Sequence, residues 1–253
     1  MSDTPSVMPL PAQPSAHAAP DPPTRWMAGL QAAIVCGIPT QLVLAAVLAP
    51  VLHVRTFDRI SFEFFVVLSL ADTAAIALLI RAFLWMSGER PSEVFVGPRP
   101  IRGEILRGLA LVPVVFLGVT GIVLGIRAIA PSMHTVETNP FEAYLQSPRE
   151  AAMFVVVVVL AGGVREELQR AFILHRFGQR LGGARVGLVL FSLTFGALHL
   201  EQGADVAVAI GLLGFVWGLL YIQRRSAILP MVNHGAFNAV QVLQGVLAKS
   251  LGA

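Results

Sequence analysis

Residues 151–180 read AAMFVVVVVLAGGVREELQRAFILHRFGQR. The stretch begins apolar enough to lie in hydrocarbon, then places Glu166, Glu167 and Arg170 inside the same run. An ionisable group at membrane depth is costly unless it is paired or carries out chemistry. Two later apolar runs are interrupted in the same way, one by His199 and one by His234 with Asn238. Two acids, two histidines, an asparagine and an arginine on three separate spans are residue types from which a hydrolytic site inside a bilayer can be built.

The whole chain supports a membrane setting. Of its 253 residues, 55% are hydrophobic and only 13% charged, and the mean hydropathy is +0.73. An ordinary soluble domain carries about 25% charged residues. The formal charge of +3 does not argue for nucleic acid; in a membrane protein arginine sets orientation and contacts anionic lipid. The basic residues are nearly all arginine, with Lys249 the one lysine, a composition that fits a GC-rich bacterial genome and a bacterial inner membrane. Cys36 is alone, so no disulfide can form within the chain. Residues 1–25 begin MSDTPSVMPLPAQPSAHAAPDPPT. This Pro/Ala-rich tail has too little apolar surface to fold alone and is expected to be disordered.

A spanning helix needs about 20 mostly apolar residues. Seven runs qualify as candidates, near 27–52, 60–86, 105–130, 151–175, 186–200, 205–223 and 227–248. The expected fold is thus an all-α, polytopic transmembrane helix bundle of about seven spans. Residues 26–130 would form the N-terminal helices and 131–250 the catalytic core. Under this threading one side of the membrane holds Arg25, Arg90, Arg99, Arg102, Arg107, Arg176, Arg180, Arg185, Arg224 and Arg225. The other holds Arg55, Arg59, Arg127, Arg149 and Lys249. The richer side is expected to be cytoplasmic, with the N-terminus inside. At 1.5 Å per residue Glu166 lies roughly 15 Å from the end of its span, His199 roughly 20 Å into its own, and His234 roughly 12 Å into the last. With a core about 30 Å thick, all three can sit near mid-depth.

Helical spacing sorts the polar residues. Glu166 and Arg170 are four apart and Glu167 and Arg170 three apart, so either acid can meet the guanidinium. Glu166 and Glu167 point about 100° apart, so one can face the site while the other holds Arg170. Arg165 could supply a further charge. His234 and Asn238 share a face; imidazole is a proton shuttle or metal ligand, and asparagine can donate to an oxyanion, although an interhelical hydrogen bond explains such a pair equally well. Phe195, four residues before His199, reads as a wall of the site. Asp72, near the middle of the second span, suits an ion pair with an internal arginine or a relay.

The three patches, EELQR (166–170), FGALH (195–199) and HGAFN (234–238), resemble the signature of the CPBP family of intramembrane proteases, the CAAX-protease and bacteriocin-processing group. Order and spacing match across roughly 150–240. That resemblance implies an endopeptidase acting on a membrane-associated peptide or protein. It makes Glu166 the base that activates water, His199 a residue that binds or orients that water, and His234 and Asn238 the groups that stabilise the oxyanion. Glu167 and Arg170 would support the helix geometry. Glu166, His199 and His234 are equally the donor set for a Zn²⁺ ion with a position open for water, and both versions stand at this stage. One departure is visible: the family places three residues between the second Glu and the Arg, whereas EELQR has two. Anchored on the Glu pair, the motif keeps an acid in the site, and a helix distortion around Gly162-Gly163 could absorb the offset. Anchored on Arg170, it puts Arg165 at the catalytic position, which favours an inactive scaffold or immunity-type protein. A small-solute transporter using Asp72 is the third reading, though no repeat or paired broken helices of the kind transporters show stands out.

Overall fold

Thr24 accepts a hydrogen bond from the Met27 amide, and from this cap the first helix, α1 (Arg25–Val35), departs. The computed structural model describes residues 22–54 and 61–251. Most of the tail expected to be disordered, and Arg55 and Arg59 from the orientation count, lie outside these residues. Helix α1 stops at Gly37, whose φ of 94° suits glycine. Helix α2 (Ile38–Val51) continues at a 48° bend, with Pro39 in its first turn, where no amide donor is needed. The break frees the Val35 carbonyl, and Gln169 Nε2 occupies it at 2.7 Å.

Helix α3 (Phe62–Met86) is capped by Ser61 and buries Asp72 along with Ile76, Ile80 and Leu84. After a π-helical turn at Ser92–Val96, α4 (Ile101–Ala110) and α5 (Val112–Ile129) form one long rod, jointed where Pro113 removes a backbone donor. Short 3₁₀ turns fill much of the expected loop 131–149. Helix α6 (Pro148–Val157) begins at an N-cap serine: Ser147 Oγ accepts from the Glu150 amide at 3.2 Å and donates to the Glu150 carboxylate at 3.0 Å. A π-helical segment, Val158–Arg165, leads directly into α7 (Glu166–Arg180). Helices α8 (Ala184–Ala197), α9 (Ala204–Arg224) and α10 (Ile228–Ser250) complete the bundle.

The described residues are 83% helical with no strand, so the all-α bundle is observed. Helical rods occupy all seven expected ranges. Among them α3, the α4–α5 rod and α9 are long and apolar enough to cross a membrane, and the bent α1–α2 pair makes a fourth. The expectation of about seven such spans is therefore larger than length and composition alone support. Helix α8 has only 14 residues, and the rods at 148–180 and 228–250 carry the polar residues of the site. Helix α5 buries no residue and leaves Val114, Leu117, Leu124 and Ile129 on the outer surface. Apolar surface of that extent is covered by lipid in an integral membrane protein.

Candidate active site

The π-helical segment and α10 meet through glycines. A Cβ on Gly163 would lie 2.5 Å from the Gly235 Cα, and one on Gly162 would overlap Asn238 Nδ2 and reach to 3.9 Å from His234 Nε2. Small residues let the two backbones approach closely, and this brings the acid motif against the His/Asn motif. A π turn widens the helix and leaves a carbonyl without its usual partner. The Val158 carbonyl is taken by Asn238 Nδ2 at 3.2 Å. One amide proton of Asn238 is thus committed and the second remains to be used. The helix distortion falls where Gly162-Gly163 suggested, just upstream of the Glu pair; from Glu166 onward the helix is regular.

The two acids separate. Glu167 is 2% exposed and pairs with Arg170 and with His234, whose Nδ1 is 2.9 Å from Glu167 Oε1. Glu166, with 18% of its side chain exposed, has Oε1 3.3 Å from Arg165 Nη2 and Oε2 3.8 Å from His234 Nε2. His234 therefore presents one ring nitrogen to each carboxylate. Arg170 is fully buried and its guanidinium lies about equally close to Phe191, Phe195 and Trp217, at 5.0, 4.9 and 5.6 Å from the ring centroids. Cation–π contact of this kind helps hold a desolvated guanidinium. The shortened spacing in EELQR still places Arg170 on Glu167, at i,i+3.

Two residues that the sequence reading did not single out shape the imidazole. Trp217 stacks on His234, with centroids 3.8 Å apart and planes 21° apart. Trp217 Nε1 donates to Asn233 Oδ1 at 2.8 Å, and Asn233 Nδ2 donates to the Gly108 carbonyl at 2.9 Å. Asn233 sits beside His234 and carries a recognisable signal, a strongly polar residue in a span. Trp217 carries none, because an aromatic in an apolar run reads as packing. His199 stands on the far side of Phe195, whose ring is 4.8 Å from the His199 ring and 6.3 Å from the His234 ring. Its Nδ1 lies 2.7 Å from the Phe195 carbonyl, so Nδ1–H donates there.

Among the described residues no three His, Cys, Asp or Glu side chains are grouped as a metal site requires. Glu166 and His234 approach one another, but His199 does not complete a three-donor set with them, so the residues as placed do not fit a resident Zn²⁺. Asp72 is fully buried and ion-paired with Arg165, the internal partner anticipated for it.

A second polar network lies at the end of α7. His175, Arg176 and Gln179 converge on Glu89, with His175 Nε2 and Gln179 Nε2 each 2.5 Å from Glu89 Oε1. Burial pushes the Glu89 carboxyl up, but the hydrogen bonds from His175 and Arg176 and the Arg176 charge outweigh it and hold the group at about 2.

Comparison with curated proteins and with solved structures finds no match. Residues 148–240 match the family model described as Type II CAAX prenyl endopeptidase Rce1-like. That range contains every residue of the EELQR, FGALH and HGAFN motifs and leaves the N-terminal helices outside it. The matched family agrees with the CPBP group that the three motifs resemble.

Proposed function

We propose that this integral membrane protein is an endopeptidase that hydrolyses a peptide bond of a membrane-associated peptide or protein, with Glu166 as the base that activates water. The observation that supports it most is the placement of His234 between the two carboxylates of one motif, 2.9 Å from Glu167 and 3.8 Å from Glu166. A water between Glu166 Oε2 and His234 Nε2 gives its proton to Glu166 as its oxygen attacks the scissile carbonyl carbon. The tetrahedral intermediate collapses by breaking the C–N bond, and the proton on Glu166 passes to the leaving amine. Glu167, at Nδ1, fixes the ring and balances its charge when Nε2 carries a proton. The uncommitted amide proton of Asn238 serves the oxyanion, joined by His234 Nε2–H when the ring enters the step already carrying both protons.

The alignment anchored on Arg170 favours a scaffold without activity. The Glu167–Arg170 pair, still possible at i,i+3 with the shorter spacing, supports the alignment anchored on the Glu pair. Glu166→Ala tests the function directly. Membranes carrying this variant should accumulate an uncut protein that membranes with the parent chain process; identical protein profiles would overturn the proposal.

A further inference from the structure

Arg165 and Asp72 form an ion pair almost without solvent: the side chains are 10% and 0% exposed. A buried pair of this kind does little for stability compared with apolar residues of the same volume. This one is imperfectly satisfied as well. Asp72 Oδ1 and Arg165 Nε have no hydrogen-bond partner. The pair thus calls for an explanation other than stability, and its geometry supplies one. The guanidinium divides its two terminal nitrogens between two carboxylates, Nη1 to Asp72 Oδ2 and Nη2 to Glu166 Oε1. Gln41 Nε2 adds a 3.4 Å contact to the same Asp72 oxygen. A continuous chain therefore runs from Gln41 on α2 through Asp72 on α3 and Arg165 to Glu166 on α7.

We propose that Arg165 is a positioning residue for Glu166, anchored from the N-terminal helices by Asp72. By engaging Oε1, Arg165 turns Oε2 of Glu166 toward His234 Nε2. Arginine suits this task because its planar fork can hold two acceptors in fixed directions, whereas a lysine ammonium is a single point charge on a flexible stem. The inference gives the helices outside the matched domain a part in the site. It rests on the assignment of Glu166 as the base.

The test uses the full-length protein in detergent, a farnesylated CAAX peptide with a quenched fluorophore as probe, and Glu166→Gln measured in parallel. The double variant Asp72→Asn, Arg165→Gln removes both charges together, so no lone ion is left buried, and is expected to stay folded. Its kcat should fall about 100-fold, the cost of a misplaced reacting group, with KM unchanged. Arg165→Lys keeps the charge opposite Asp72 and should lose about tenfold in kcat, because one ammonium cannot direct both carboxylates. Parental kcat in the double variant overturns the inference, as does a loss confined to KM. Should the double variant fail to fold, parental kcat in Arg165→Lys overturns it. Glu166→Gln separates the two ideas. If it cleaves at the parental rate the base assignment itself is wrong; if it is inactive while the charge-free double variant is active, only the role of Arg165 is lost.

Discussion

Two adjacent glycines should respond in different ways to the same added methyl group. At Gly163 a Cβ would lie 2.5 Å from the Gly235 Cα and 2.8 Å from the Gly235 amide nitrogen, so α10 must move away. Overpacking against backbone costs about 1–3 kcal/mol, while Ala in place of Gly returns up to about 1 kcal/mol in helix propensity. A 2.5 Å approach to backbone belongs at the upper end of the overpacking range, about 2–3 kcal/mol, so after the propensity gain Gly163→Ala should be destabilised by about 1–3 kcal/mol. At Gly162 the obstructing atom is the tip of a side chain, Asn238 Nδ2, which can swing aside at the loss of its hydrogen bond to Val158. That bond contributes about 1 kcal/mol net and the propensity gain is similar, so Gly162→Ala should unfold near the parental temperature. Its cleavage rate should nonetheless drop about 100-fold, the scale for losing one oxyanion donor. Thermal unfolding in detergent and cleavage of a farnesylated CAAX peptide would be measured on both variants. Full activity in Gly162→Ala would refute the role of Asn238, and parental stability in Gly163→Ala would refute the close helix contact.

Other outcomes follow from the same geometry. Because Glu89 is held at about 2 against an ordinary value of 4.5, its contribution to stability is complete above pH 4.5 and is lost as pH falls toward 2. Acid unfolding should show this loss, and Glu89→Gln should flatten it. Arg170→Met leaves Glu167 as a buried carboxylate with His234 as its remaining partner, and breaking a buried pair costs up to about 3–5 kcal/mol; unfolding at the parental temperature would show that the aromatic surround, and not the ion pair, sets stability there. Since no three-donor metal set is assembled among the described residues, protein stripped by a chelator should cleave at the parental rate with no zinc detected by elemental analysis. Activity that returns only with added Zn²⁺ would contradict the arrangement.

The sequence displays the polar residues of the site because each one interrupts an apolar run, and the penalty for charge in lipid makes such interruptions conspicuous. Glu166, Glu167, His234 and Asn238 are legible for that reason, and helical spacing correctly allows Glu167 to meet Arg170. The partner of Arg165 is less legible: Asp72 lies 93 positions earlier, and no local periodicity connects them. The π-helical segment has no pattern of its own beyond the Gly162-Gly163 pair, since a single shifted hydrogen-bond register leaves the hydrophobic content unchanged. Trp217 is hidden for the opposite reason to Glu166, as it is indistinguishable from its apolar neighbours until the fold stacks it on His234. The number of spans is the least legible part of the fold, because an apolar run marks a helix without fixing its length, as at the 14-residue α8.

The most direct trial of the whole account is the single-turnover cleavage rate of Glu166→Gln, per mole of folded protein, beside the parent chain. A neutral amide keeps the shape of the side chain and cannot accept the proton of water, so the variant should unfold near the parental temperature and cleave at least 100-fold more slowly. Cleavage by Glu166→Gln at the parental rate would contradict the account.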